Sequence, residues 1–117
     1  MNQLSVLLAV SIGFCKVTSY RSVPGQTDST PFTTSIGHRT HPFGAAVSPD
    51  LMSSGQVCYG DVLIVPGYGY KIVNDITNKR LKRTVDLWVP SIRQEKQIGS
   101  RYFEVKVLHS ENRKCRK

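Results

Sequence analysis

The chain has 117 residues, which is enough for one hydrophobic core and too few for two independent domains. Its 16 Lys and Arg residues outnumber its 8 Asp and Glu residues, and the formal charge of +8 predicts attraction to polyanions such as nucleic acid, anionic lipid or bacterial cell wall. Hydrophobic residues make up 39% of the chain, which excludes a disordered protein by composition. Basic and aromatic residues do not interleave as they do in nucleic-acid modules, so no nucleic-acid partner is expected.

The N-terminal segment, residues 1–14, is rich in apolar side chains. It is too short to span a membrane and about as long as the apolar core of a signal peptide, although no Lys or Arg precedes that core. Two interpretations follow: an export signal that is removed, or a first buried strand. We expect no stable membrane span, and we divide the chain into this segment, one domain at residues 15–109 and a basic tail at residues 110–117.

The three cysteines are Cys15, Cys58 and Cys115. They are too scattered for a metal knuckle, and the three histidines are not spaced to complete a zinc site with them. We therefore expect no metal and no other cofactor. If the segment that carries Cys15 were removed, Cys58 and Cys115 would be an even pair for a disulfide in an oxidising compartment.

Short β-forming runs, separated by loops rich in Gly, Pro, Ser and Thr, fill most of the chain. Strands are predicted at residues 16–20, 33–38, 44–48, 61–65, 68–75, 84–89 and 101–108. Pro66 and Gly67 predict a tight turn that makes a hairpin of two of them. One short helix is predicted at residues 92–98, with Ser91 as its N-cap and Gly99 as its stop. Because closure hides the edges of such short strands, we predict an all-β fold, a small closed barrel of six to seven strands.

Two carboxylates, Asp75 and Asp86, lie eleven positions apart on strands that a basic turn containing Lys79 connects. Alternation along the second strand sends Asp86 and Trp88 to the face away from the core. A carboxyl group beside an indole is typical of a cleft that stacks a sugar ring and transfers a proton. The competing interpretation is a surface strand with one charge and one half-buried Trp.

Seven segments of the chain, in order, resemble the three-aspartate (3D) domain. They are Val17-Thr18-Ser19-Tyr20, Thr27-Asp28-Ser29-Thr30-Pro31-Phe32, Thr34-Ser35-Ile36-Gly37, Ala46-Val47-Ser48-Pro49-Asp50-Leu51, Tyr59-Gly60-Asp61, Val73-Asn74-Asp75 and Arg83-Thr84-Val85-Asp86-Leu87-Trp88. This domain is a double-psi β-barrel similar to the catalytic part of membrane-bound lytic transglycosylase A. The resemblance runs from about residue 17 to residue 107.

The resemblance implies that Asp50, Asp75 and Asp86 are the three aspartates of the family and that Asp86 is the general acid and base. It also implies the reaction: cleavage, without water, of the β-1,4 bond between N-acetylmuramic acid and N-acetylglucosamine in peptidoglycan. The product would carry a 1,6-anhydro end. Many members have the first aspartate directly after an Ala-Val pair, whereas Ser48 and Pro49 intervene here.

Four further residues are candidates for contacts with the glycan. Trp88 would stack on a sugar ring, and Lys79 would face the carboxylates of the peptide stems. The hydroxyl groups of Thr34 and Tyr20 would line the groove, although such groups on barrel strands more often bond to the backbone. We expect the basic side chains to lie off Asp86, because a cation beside this carboxyl group would keep it ionised.

The expected partner is therefore a peptidoglycan strand, bound by a monomer that is secreted, periplasmic, attached to the cell wall or carried by a phage particle. Ordinary hydrolysis by two carboxylates is the neighbouring alternative, and it would leave a reducing end. An alternative from another class is a non-catalytic barrel that binds glycan or builds a wall or a virion, because one fold hosts many functions. A nucleic-acid binder is the third alternative.

Overall fold

The structure, a computed structural model, describes residues 8–20 and 43–115. They form a closed, mostly β barrel of six strands with two short helices, which confirms the predicted fold class. The elements in chain order are β1 (Val10–Tyr20), β2 (Gly44–Val47), α1 (Pro49–Ser53), β3 (Val62–Val65), β4 (Gly69–Ile76), β5 (Thr84–Trp88), α2 (Ile92–Ile98) and β6 (Arg101–Leu108). The strand predicted at residues 33–38 lies outside the described residues.

The strands follow one another around the barrel in the order β1-β5-β2-β4-β3-β6, and β6 pairs with β1 to close it. The pairs β1–β5 and β2–β4 are parallel, and the other four pairs are antiparallel. Parallel neighbours cannot be joined by a tight hairpin. The wall formed by β1, β5, β2 and β4 therefore brings together residues from distant parts of the chain.

The interior of the barrel is filled by apolar side chains that alternate inward along the strands. Those less than 2% exposed include Val17, Val47, Leu63, Val65, Val73, Val85, Leu87, Val105 and Val107. The alternation in β1 is interrupted at Gly13, whose φ is +82°, where the pairing with β6 shifts register. Because of this bulge, Ile12 and Cys15 both point into the core although they are three positions apart.

The first strand is longer than the sequence indicates. It begins at Val10, whereas the predicted strand begins at Lys16. Its first part belongs to the apolar segment 1–14 and is here a piece of the barrel wall, with Ile12 only 7% exposed. Neither helix in the described part of the chain has the length and hydrophobicity needed to cross a bilayer.

The two helices differ in how well the sequence predicts them. Helix α1 is not predicted: it has five residues, too few for a periodic pattern, and begins at Pro49. Helix α2 is confirmed, because the Ser91 side chain accepts a hydrogen bond from the backbone N–H of Gln94 and Gly99 ends the helix with a φ of 61°. The predicted hairpin is also confirmed, since β3 and β4 are antiparallel neighbours.

The segment that follows β6 is fastened to the loop before β3. A disulfide joins Cys58 to Cys115, with their Cα atoms 4.5 Å apart. Beside it, the fully buried carboxylate of Asp61 accepts hydrogen bonds from the Arg113 guanidinium at 2.9 Å and from the Ser110 backbone N–H at 2.9 Å. Burial alone would raise the pKa of Asp61, but its hydrogen bonds, led by those from Arg113, outweigh burial and lower it. Part of the basic tail is thus docked on the barrel.

Candidate active site

Asp86 and Asp75 lie on the outer face of the barrel wall, on either side of β2. Asp86 on β5 pairs with Ala46 on β2, and Ala46 pairs in turn with Asp75 on β4. On the other side of β5, Asp86 pairs with Thr18 on β1. Because paired residues point to the same face, these four side chains form what we call the carboxylate row: Thr18, Asp86, Ala46 and Asp75. With strands about 4.8 Å apart, the Cα atoms of the two aspartates are about 10 Å apart.

The two neighbours of Asp86 in the chain, Val85 and Leu87, point into the core and are at most 1% exposed. This confirms the prediction that Asp86 and Trp88 face away from the core. Trp88 pairs with Tyr20 of β1, so a second pair of outward-facing residues lies beside the row. Both Asp86 and Trp88 are half-buried.

The environment of Asp86 favours its protonated form. Burial is the largest influence and raises the pKa of Asp86 to about 6. The Thr18 hydroxyl donates a hydrogen bond to Oδ1 of Asp86 at 2.8 Å and lowers this pKa, whereas the charges of Glu95 on α2 and Asp75 raise it. A pKa near 6 leaves about one carboxyl group in ten protonated at pH 7, which is the range that suits a general acid.

Two other groups lie close to the row. The Tyr20 hydroxyl is buried and has no hydrogen-bond partner among the described residues. Burial, followed by the negative charges of Asp75 and Asp86, raises the pKa of Tyr20, so the phenol stays a neutral hydrogen-bond donor. Oδ1 of Asp75 accepts a hydrogen bond from the backbone N–H of Ile76 at 2.9 Å.

The third aspartate implied by the resemblance, Asp50, is not part of this row. It lies in the first turn of α1, and its Oδ2 accepts a hydrogen bond from the backbone N–H of Arg83 at 3.0 Å. Ser48 accepts one from the N–H of Thr84 at 2.9 Å. Burial opposes ionisation of Asp50, but hydrogen bonds with Ser48 and Arg83 hold its pKa below the ordinary value. Asp50 therefore helps to hold the start of β5, the strand that carries Asp86, through the hydrogen bond from Arg83.

Among the basic residues of the turn between β4 and β5, Arg83 points away from Asp86. The Arg83 guanidinium donates to the backbone oxygens of Phe14 and Ile12, near the start of β1, whereas Asp86 pairs near the end of that strand. Lys79 is exposed in the turn itself. Thr34, the remaining predicted contact residue, lies outside the described residues. The structure thus gathers Asp86, Asp75, Trp88 and Tyr20 on one face.

A cavity of about 170 Å³ opens at one end of the barrel, next to α2. It is lined by Tyr68, Lys71, Leu87, Val89, Gln94, Gln97 and Ile98. Because Leu87 points to the opposite face of β5 from Asp86, the sheet separates this cavity from the carboxylate row. Across residues 8–20 and 43–115 there is no cluster of three or more His, Cys, Asp or Glu side chains that could hold a metal ion.

Two residues at the site are absent from the sequence-based prediction. Thr18 belongs to a segment quoted for the family resemblance, and its alternation with Tyr20 along β1 would have placed it on the same face. Glu95 lies on α2, and its charge raises the pKa of Asp86. The backbone oxygen of Glu95 also accepts a hydrogen bond from the Ser19 hydroxyl on β1 at 3.3 Å. No sequence pattern indicates this packing, because it depends on how α2 lies against β1.

We expect Asp86→Asn to stabilise the protein at neutral pH. The folded state raises the pKa of Asp86 from 3.8 to about 6, so it binds a proton more tightly than the unfolded state. Wild-type stability should therefore fall as the pH rises from about 4 to about 6, by up to about 3 kcal/mol for two pKa units. Urea unfolding at both ends of this range measures the effect.

The variant cannot ionise at this position, so its free energy of unfolding should not fall over this pH range. Its advantage in unfolding free energy over the wild type should be small near pH 4 and largest above about pH 7. An equal difference between the two proteins at both pH values would contradict the raised pKa.

No protein-family model matches the chain, and no curated protein matches it either. The carboxylate row and the groups beside it are therefore the features that bear on function.

Proposed function

We propose that this protein is a lytic transglycosylase of the 3D-domain type, which cleaves the β-1,4 bond between N-acetylmuramic acid and N-acetylglucosamine in peptidoglycan. The observation that carries the proposal is one carboxyl group, Asp86, on the outer face of the barrel, whose pKa burial raises to about 6. The closed barrel with two parallel strand pairs is consistent with the double-psi β-barrel of that family.

The reaction needs only one proton carrier. Protonated Asp86 gives its proton to the glycosidic oxygen while the bond from that oxygen to C1 of the muramic acid residue breaks. The ionised carboxylate then takes the proton from the C6 hydroxyl group of the same sugar, whose oxygen bonds to C1. No water is consumed, and Asp86 regains its proton. The negative charge of Asp75 helps to keep Asp86 protonated and would stabilise the positive charge that develops at C1.

The groups around the row fit a glycan strand. The Trp88 indole would stack on a sugar ring, and the buried Tyr20 hydroxyl would donate a hydrogen bond to a sugar oxygen. Lys79, exposed in the turn between β4 and β5, would attract the carboxylates of the peptide stems, and the net charge of +8 favours the anionic wall as a whole. The disulfide supports a secreted, periplasmic or wall-associated protein, since such bonds persist in oxidising compartments.

Product analysis tests this function. The protein is incubated with purified sacculi, and the released muropeptides are analysed by mass spectrometry. We expect 1,6-anhydro ends, which are lighter by one water than reducing ends. Reducing ends would show instead that water attacks C1, as in a hydrolase.

A non-catalytic glycan-binding barrel is the second candidate. It is favoured by the outward-facing pair Trp88 and Tyr20, because aromatic side chains can bind a sugar ring without any chemistry. Such a protein would release no muropeptides, and its affinity for sacculi would survive Asp86→Asn.

A further inference from the structure

We infer that Thr18 is a positioning residue that holds one oxygen of Asp86, so that the other oxygen carries the proton that is transferred to the glycan. This inference rests on the proposed function. Thr18 does not act on the substrate itself, and its effect would be exerted through Asp86.

The two residues are held together by the sheet. Thr18 and Asp86 are partners in the parallel pairing of β1 with β5, and both point to the outer face. The Thr18 hydroxyl donates to Oδ1 of Asp86 at 2.8 Å, across 68 positions of sequence. A Thr side chain has few rotamers, so its hydroxyl group stays aimed at the carboxyl group. Oδ1 is therefore the bound oxygen.

This hydrogen bond suits both protonation states of Asp86. The ionised carboxylate accepts it at Oδ1, with the negative charge shared between both oxygens. In the carboxylic acid, Oδ1 is the stronger acceptor when the proton sits on Oδ2, because a carbonyl oxygen accepts better than the oxygen of an O–H group. The donated bond thus favours the proton on Oδ2 without any movement of Thr18. If neither oxygen accepted a hydrogen bond, nothing would favour one oxygen over the other as the carrier of the proton.

The hydrogen bond also offsets the other influences on Asp86. Glu95 from α2 and Asp75 from β4 contribute negative charge, Tyr20 from β1 is a neutral phenol, and β2 contributes the methyl group of Ala46. Burial and both charges favour the protonated form, whereas the bond from Thr18 favours the ionised form. The carboxyl group can then release its proton in the first step and recover one in the second.

A set of matched threonine variants tests this role. Thr18→Val removes the hydroxyl group and keeps the shape, and Thr18→Ser keeps the hydroxyl group. Thr84→Val is the control, because the Thr84 hydroxyl also faces outward on β5 but donates to the backbone oxygen of Lys82 at 2.7 Å. The carboxyl carbons of all aspartates are labelled with ¹³C and titrated by NMR, and Asp86→Asn assigns the signal of Asp86. Amide spectra establish that each variant is folded.

We expect Thr18→Val to raise the midpoint of the Asp86 titration by about one pH unit, which is the size of one charge-assisted hydrogen bond. Thr18→Ser and Thr84→Val should titrate like the wild type. On sacculi, Thr18→Val should lose on the order of 10-fold in rate, because the acid is less well oriented. The alkaline limit of its activity should move upward with the titration midpoint, and Thr18→Ser should restore both.

An unchanged Asp86 titration in Thr18→Val, or the same change in Thr84→Val, would overturn the inference whether or not the protein cleaves sacculi. A loss of rate with no change in the pH profile would also overturn it, since that result indicates packing alone. By contrast, full activity of Asp86→Asn together with a shifted titration in Thr18→Val would overturn the proposed function and leave the hydrogen bond established.

Discussion

Asp86→Asn is expected to reduce the release of anhydro-muropeptides from sacculi by about 10²- to 10⁴-fold, the usual contribution of a general acid and base. The amide can still accept the hydrogen bond from Thr18, which donates to Oδ1 in the wild type at 2.8 Å. It cannot give a proton to the glycosidic oxygen or take one from the C6 hydroxyl group. Initial rates of muropeptide release, measured by mass spectrometry, give the ratio directly.

Glu104→Gln is the matched control for this result. Glu104 is an exposed carboxylate on β6, a strand that is not part of the carboxylate row, and it accepts a hydrogen bond from the Ser11 hydroxyl at 2.9 Å. Its change to an amide should leave the rate within a few-fold of the wild type. If both variants lost activity equally, the loss would reflect net charge. If Asp86→Asn kept full activity, Asp86 would not be the proton carrier.

Removal of the Cys58–Cys115 disulfide is expected to lower the free energy of unfolding by about 4 kcal/mol, because the bond closes a long loop in the unfolded chain. The two cysteines are 57 positions apart. A double substitution, Cys58→Ala with Cys115→Ala, should also lower the melting temperature by on the order of 15 °C. Urea and thermal unfolding of the two proteins measure both quantities.

A reducing agent supplies the control for this second prediction. It should destabilise the wild type to the level of the double variant and leave the double variant unchanged, since Cys15 is the remaining cysteine and is a buried free thiol. Equal stability of the wild type and the variant would mean that the Asp61–Arg113 ion pair and the packing of the C-terminal segment hold it without the bond.

The parts of the fold that the sequence predicts well depend on local signals. Pro66 and Gly67 mark the hairpin, and Ser91 and Gly99 mark the ends of α2, because Pro fixes φ, Gly tolerates a positive φ and Ser caps the first turn of a helix. The beginning of β1 is different. The bulge at Gly13 shifts the inward-facing positions by one residue, so the alternation that would indicate a strand is lost.

The candidate site could be predicted only in part for a related reason. Alternation within β5 is local, and it places Asp86 and Trp88 on the outer face. The alignment of Asp86 with Thr18 and Asp75 depends on the parallel pairs β1–β5 and β2–β4 and on the antiparallel pair β2–β5, whose register is set by packing of the whole barrel. Asp50 lies outside the carboxylate row because a helix, with Ser48 as N-cap and Pro49 as first residue, begins directly before it. The helix brings the Asp50 carboxylate to the start of β5.

The pairing of β1 also has a consequence for the synthesis of the protein. Both strands that pair with β1 in the described residues, β5 and β6, come late in the chain, and the contact between Thr18 and Asp86 spans 68 positions. At a translation rate of about 5 to 20 residues per second, the first strand waits about 3 to 14 seconds before its neighbour has been made. A nascent chain in this condition cannot close its barrel until β5 and β6 have been made.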